Sequence, residues 1–346
     1  MLNPIKKRMG SLVDGNKISI THLQQIEGNY ADTFRDFNSD SERFTNFSYG
    51  LLPPNKGEKS SCDLRIKEKN GDKIEIELKQ CNAITSRGGR IDIKSINHSD
   101  SARLDHDFSQ EIEDNKHWNV VLVLEPFYNK LQSIVNAQET SLNYKQTYDL
   151  FIQPIGQIPE DEFGIYHLIV GRIIKEDNNY SIDSNYIPPS VMMNSHPDLE
   201  KYYELFGKYL NEIEISSQSI IQKIQDKYNN SDLTNNMKLL CEKILIYIAE
   251  IRFNYINRGR FYQPIEIAYI FSAFARVCFF LIDSISLEEK NELLNYFHKY
   301  GDIEPNTFLE LLSNLEECRY DHQDIRCSMA RIESSLALFS GLWSKI

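Results

Sequence analysis

The hydrophobic pattern of the chain changes period once, near residue 187. Before that point apolar positions alternate with polar ones or run on for a few residues. "KIEIELK" (73–79) sets Ile74, Ile76 and Leu78 against Glu75, Glu77 and Lys79, the period of two that marks a half-buried strand. The paired glycines of "SRGGR" (86–90) make a turn, because glycine reaches positive φ without steric cost, and "RIDIK" (90–94) alternates again. "NVVLVLEPF" (119–127) and "YHLIVGRII" (166–174) are continuous apolar runs of the kind that form buried strands. No helical pattern alternates regularly with these segments. They predict a β-sandwich or barrel rather than a doubly wound sheet.

After that point the spacing is helical. Leu199, Tyr203, Phe206, Leu210, Ile213, Ser217, Ile220 and Ile224 follow at alternating steps of four and three, a heptad seam with one polar position. A turn at 229–232 caps a second helix ending near 257–259, and Pro264 suits the first turn of a third. Ser286-Leu287-Glu288-Glu289 has the capping-box pattern for a short fourth helix (287–300). Pro305 opens another short one (305–316), and "YDHQDIRCSMARIESSLALFSGLW" makes the last. The expected class is α+β: a sandwich over 1–187, an elbow over 188–197 and an antiparallel bundle over 198–346. The seam is either the bundle's own core or a self-association stalk. Residues 197–228 would span about 48 Å at about 1.5 Å per residue, a length that suits a stalk.

The elbow is Tyr186-Ile187-Pro188-Pro189. Proline has no N–H to donate and biases the preceding residue away from the α region, so the last strand cannot run on into the helix. Adjacent prolines favour a stiff extended segment, which would hold the angle between the two halves.

Composition narrows the function. Apolar residues are 41% and charged residues 25% of the 346, ordinary for a soluble globular chain with room for two cores. The net charge of −12 argues against a nucleic-acid surface and against recruitment to anionic lipid. "MLNPIKKRMG" has no apolar stretch behind its basic residues and does not read as a signal peptide. Six scattered cysteines (62, 81, 241, 278, 318, 327) read as thiols in a reducing compartment. "IAYIFSAFARVCFFLID" (267–283) carries Arg276 near its middle and reads as a fully buried bundle helix rather than a membrane span.

Candidate chemistry is sparse. Asp63 with Glu77-Leu78-Lys79 matches the pattern in which one class of nuclease holds Mg²⁺ and activates water. Glu-x-Lys is equally the face of an exposed strand, and an acidic chain repels phosphates. Cys318, His322 and Cys327 lack a fourth zinc ligand. Asp105-His106-Asp107 reads as a polar loop without a nucleophile, and no phosphate loop, nucleophile elbow or HExxH occurs. The expectation is a non-enzymatic protein with no catalytic residue, metal or cofactor.

"YIPPSVMMNSHPDLEKYYELF" (186–206) resembles the junction of the TssK family (ImpJ, VasE), the baseplate subunit of type VI secretion systems. "GNKISITHLQQIEGNY" (15–30) resembles the family's opening Pro-Gln-His-Phe-Gln-Gln element, although Thr21 stands where Gln is common. "NFSYGLLP" resembles the Tyr/Trp-Gly-Leu that follows. "YHLIVGRIIKEDNNYSIDSNYIPP" keeps the family order of strand, hairpin, strand and elbow. "QPIEIAYIFSAFARVCFF" and "YDHQDI" resemble the starts of two bundle helices, so the match is patchy but collinear over nearly the whole chain.

The resemblance implies a structural, cytoplasmic protein at the inner face of the cytoplasmic membrane. It implies a homotrimer through shoulder and stalk, with Leu199, Tyr203, Phe206, Leu210, Ile213, Ile220 and Ile224 at the stalk interface. It implies binding of the TssF–TssG wedge by the N-terminal domain, with His22, Leu23, Gln25, Ile26 and Tyr30 on that surface. Family members usually continue into a C-terminal head that docks onto the inner-membrane complex. Here the sequence ends at Ile346, leaving that contact without its usual element, and the two short helices are candidates for part of its role. A phage-like receptor-binding or tail adaptor shares the same layout and is the first alternative; a Mg²⁺-dependent nuclease using Asp63, Glu77 and Lys79 is the second.

Overall fold

The computed structural model describes residues 26, 47–69, 71–86, 88–94, 102–110, 116–125, 147–157, 162–163, 166–176, 179–226, 231–301 and 304–346. It divides into a sheet unit, Met1–Val191, and a helical unit, Met192–Ile346.

In the sheet unit β3 (Lys73–Ile84) is the spine of the first sheet. β1 (Gly50–Leu51) and β2 (Cys62–Glu68) pair with one of its edges; β4 (Arg90–Lys94) and β5 (Ala102–Asp107) share the other. The second sheet has the order β7-β6-β8-β9, from β6 (His117–Glu125), β7 (Thr147–Pro154), β8 (His167–Glu176) and β9 (Asn179–Ile182). All these pairings are antiparallel. Ile74, Ile76, Leu78, Cys81 and Ala83 meet Val120, Leu122, Leu168, Val170 and Ile173 in a common core.

The alternation of β3 is that of a sheet with one buried face. The continuous apolar runs of β6 and β8 have a different cause. Their outward residues Val121 and Ile169 lie under Tyr186 in a second buried cluster, joined by Val123 and Phe163. Burial on both faces leaves no position for polar alternation. At one end an aromatic group closes the sandwich: Phe108 stacks on Tyr180 at 4.4 Å and packs against Trp118 at 4.6 Å. The Tyr180 hydroxyl donates to Asp72 (2.9 Å), in the turn before β3.

Asp105-His106-Asp107 lies in β5, not in a loop: Asp105 pairs with Glu75, His106 with Ile74 and Asp107 with Lys73. The segment is polar because it is an outer strand whose outward side chains pair with charges, Asp105 with Lys69 and Asp107 with Lys73. Asp107 accepts from Ser109 N–H and pairs with Lys73 (3.1 Å), and these contacts draw its carboxyl down to about 2.

The helical unit contains α1 (Pro197–Asp226), α2 (Asp232–Arg258), α3 (Pro264–Asp283), α4 (Leu287–Gly301), α5 (Pro305–Glu316) and α6 (Ile325–Lys345). The boundaries follow local chemistry. Ser231 caps α2 by accepting from Thr234 N–H, and Pro264 opens α3. Ser286 and Glu289 exchange the two bonds of a capping box at α4 (3.3 and 3.0 Å). Asp324 caps α6 by accepting from Cys327 N–H. α1 packs against α2 and α6, and an aromatic chain of Phe274, Phe308, Phe339, Trp343 and Phe297 binds α3, α5, α6 and α4 together.

α3 is long and apolar enough to cross a membrane, yet in the bundle it buries Phe271, Phe274, Ala275, Cys278 and Ile282. It is not fully buried, as its composition had suggested. Tyr269 (71%) and Phe280 (69%) are exposed, and Arg276 pairs with Glu316 at 2.5 Å.

Candidate functional site

The proline segment is built into the sheet unit. Tyr186, Ile187, Pro188, Pro189 and Ser190 are all buried, and the Arg172 guanidinium sits 4.2 Å over the Tyr186 ring. Leu51 N–H donates to Pro189 O (2.7 Å) and Val191 N–H to Leu51 O (2.9 Å), so Ser190 forms a parallel bridge with Leu51. That close approach selects the residue at position 50. Gly50 has φ +112°, and a Cβ there would lie 2.1 Å from the Pro189 oxygen. The elbow is therefore seated on β1, and "YGL" and "YIPPS" form one structural element. Sequence spacing alone separates them by more than a hundred positions.

In the helical unit His196 lies just before α1. Its Nδ1 accepts from Asp198 N–H (3.2 Å), and burial lowers its pKa below the ordinary value near 6.5, with Lys201 and Arg326 acting in the same direction against Asp198. A neutral acceptor in this position is lost on protonation. Its contribution to stability is full above pH 6.5 and declines as the pH falls from there toward the depressed folded value. Thermal melts between pH 7 and 5 should show this slope, and His196→Gln should flatten it; an unchanged slope would remove His196 as its source.

The predicted seam lies against the chain's own helices. Leu199, Tyr203, Phe206, Leu210, Ile213 and Ile220 are buried without any partner chain, and Ile224 is half-buried. Ser217, the polar member, accepts from Trp343 Nε1 (3.0 Å). Tyr203 and Tyr255 stack at 4.9 Å, and each hydroxyl donates to the other's backbone carbonyl (3.0 and 2.7 Å). The stalk-interface side chains of the sequence reading thus face the helices of their own chain. The apolar positions left exposed lie elsewhere. On α2, Leu239 (41%), Ile246 (52%), Phe253 (73%) and Ile256 (60%), together with exposed Ala249, form a second row at heptad spacing. Beside it a groove of about 300 Å³ opens between α1 and α2 over Gly207, Leu210, Ile248 and Tyr255. Its rim carries Arg252 paired with Glu214, and Arg260 lies nearby, paired with Glu204 (3.0 Å) and Glu200 (3.3 Å). The row on α2 was visible in the sequence as 239-246-249-253-256, but it was masked by the stronger seam on α1.

The nuclease set is not assembled. Asp63 stands opposite Gln80, not Glu77, and accepts twice from Arg65 (2.8 and 3.0 Å). Glu77 lies between Arg65 and Arg103 on the flanking strands and pairs with Arg103 at 2.6 Å and Lys79 at 3.6 Å. Both carboxylates are thus held by arginines of the sheet. His322 is buried with Nδ1 2.7 Å from the Tyr320 hydroxyl, whereas Cys327 is exposed. Among the described residues no three His, Cys, Asp or Glu side chains are grouped to hold a metal. His22, Leu23, Gln25 and Tyr30 lie outside the described residues; Ile26 is helical and half-buried.

No protein-family model matches the sequence, and no curated protein matches it. Solved structures do match. A crystal structure of TssK aligns with 97% of this chain and 72% of its own, with a TM-score of 0.58 at 15% identity. The fold is TssK-like. TssK of the EAEC type VI secretion system, solved with a nanobody, aligns with 92% of this chain and 98% of its own (TM-score 0.53, 12% identity). A chain of the type VI secretion baseplate complex aligns over 97% of this chain and 69% of its own (TM-score 0.53, 12% identity). The TssK-like fold thus covers both the sheet unit and the helical unit.

Proposed function

We propose that this protein is a structural, non-enzymatic baseplate component of a type VI secretion or related contractile injection system. In this reading it is a trimeric adaptor that binds the TssF–TssG wedge through its sheet unit and works on the cytoplasmic side of the inner membrane. The observation that carries the reading is the TssK-like fold over 97% of the chain. The elbow seat and the charge-paired Asp63 and Glu77 agree with a scaffold rather than an enzyme. The inner-membrane complex is a further partner in this reading, with α4 and α5 as the elements to test first.

The deciding experiment is co-purification of the tagged full chain with TssF and TssG from the same gene cluster. Binding of the wedge is expected, and deletion of residues 1–30 is expected to abolish it while the helical signal stays intact. Full-yield co-purification by the truncated chain would take His22 to Tyr30 out of the interface. Failure of the intact chain to bind either protein would count against the baseplate role itself.

Self-association is assigned to α2 rather than to the α1 seam. Ile246, Ala249, Phe253 and Ile256 are apolar, exposed and at the 3–4 spacing that packs helices against helices, with Leu239 one heptad before them. Light scattering should give about three times the 40.4 kDa chain mass. Ile246→Asp with Phe253→Asp should give a folded monomer, because both side chains are already in water. Ile213→Asp should instead unfold the helical unit, because it puts a charge in the core. A double variant that stays trimeric would move the interface off α2.

A further inference from the structure

Cys62 and Cys81 face each other directly across β2 and β3. The adjacent pair, Ser61 and Asn82, is hydrogen-bonded, with Asn82 N–H donating to Ser61 O at 2.8 Å. Antiparallel ladders alternate, so Cys62 and Cys81 occupy a non-hydrogen-bonded site, where Cα atoms stand about 4.5 Å apart and side chains are closest. That separation falls within the range a disulfide spans, about 4.4–6.8 Å. Both side chains point into the sandwich. Cys81 is fully buried in the core, Cys62 packs against it, and the Cys62 sulfur lies 3.8 Å from Val170 O on the other sheet. The neighbouring Cys62 thiol and burial together hold Cys81 as a neutral thiol well above its ordinary pKa. Cys62 is half-buried, so a small oxidant reaches it first.

We propose that Cys62 and Cys81 are a reversible disulfide site, oxidised in place by hydroperoxides. The Cys62 sulfur, as thiolate, attacks the O–O bond of hydrogen peroxide and becomes a sulfenic acid, and the departing hydroxide takes up a proton to leave as water. The Cys81 sulfur then attacks the Cys62 sulfur, its proton leaves with the sulfenic hydroxyl as a second water, and the S–S bond forms. The two thiols give up two electrons and the peroxide accepts them. Thiol–disulfide exchange with a dithiol reverses the change.

The site is coupled to the elbow seat through its chain neighbours Ser61 and Asn82, and the Ser61 hydroxyl donates to Leu52 O. Asn82, next to Cys81, accepts from Leu52 N–H (2.9 Å) and donates from its side chain to Pro53 O (3.1 Å). Leu52 follows directly on the Gly50–Leu51 strand to which Pro189 and Val191 are bonded. A covalent tie between β2 and β3 here closes the ladder that holds β1, so oxidation should stiffen the elbow seat. The inference rests on the strand register and is independent of the baseplate role.

The test uses the full chain, folded, treated with hydrogen peroxide, alkylated and digested without reduction. The expected product is a peptide joining Cys62 to Cys81 with the loss of two hydrogens, reversed by dithiothreitol. The oxidised sheet unit should melt at a higher temperature, with slower amide exchange at Leu51 and Val191. Cys62→Ser and Cys81→Ala should each abolish the cross-linked peptide, and Cys241→Ser should leave it. If either variant folds poorly, the wild-type peptide map decides alone. Sulfinic acid at Cys62 without a cross-link, or a cross-link that forms only in denaturant, would overturn the proposal.

Discussion

Replacing Gly50 with valine is expected to release the elbow from the sheet unit and to destabilise that unit by about 3 kcal/mol or more. Two costs add at this position. The backbone at φ +112° is strained for any side chain, a cost of about 1–3 kcal/mol. The new Cβ would also lie 2.1 Å from the Pro189 oxygen and 2.6 Å from Ser190 N, and both neighbours are backbone atoms that cannot rotate away. The segment must therefore lift, breaking the bonds of Leu51 to Pro189 and Val191 and uncovering Ile187. Gly57 is the control. Its φ is +94° but nothing lies within 4 Å of its Cβ position, so Gly57→Val should carry only the strain, about 1–3 kcal/mol. Urea unfolding of both variants measures the difference, and hydrogen exchange at the Leu51 and Val191 amides locates it. If those amides stay as protected in Gly50→Val as in the parent, the seat does not depend on the close approach.

Trp343→Ala should cost the helical unit about 3–5 kcal/mol, the usual range for removing a large buried aromatic side chain. Trp343 is 1% exposed, stacks on Phe339 at 4.2 Å and packs on Phe297 at 5.7 Å. The loss opens a cavity among α1, α4 and α6 and leaves Ser217 without its donor. Ser217→Ala should cost less, about 1–3 kcal/mol, because it leaves the indole N–H buried and unpaired. Combining the two should be less than additive, since the alanine at 217 has no bond left to lose. Circular dichroism during thermal unfolding reads all three proteins. A Trp343→Ala variant that melts with the parent would mean that α6 does not close the core.

Much of the element list could be read from local chemistry. The alternation in "KIEIELK" appears as β3, the glycine pair lies between β3 and β4, and the capping box at Ser286 opens α4. These features depend on a residue and its near neighbours, so short-range pattern suffices. β5 was not legible, because an outer strand with charged side chains facing water and Ala102, Leu104 and His106 turned inward has almost no apolar signal. The charged partners that make it a strand are on β3, far away in sequence.

The period of the apolar positions by itself determined the class of the protein, α+β, with strands followed by helices. It also determined which face of α1 is apolar. Only the tertiary structure decided what covers that face, namely α2 and α6 of the same chain. It likewise decided that the elbow rests on Gly50, that Cys62 meets Cys81, and that Asp63 and Glu77 pair with Arg65 and Arg103. The reason is that periodicity specifies the direction in which a side chain points, while the surface it meets is set by strand register and helix packing between segments remote in sequence.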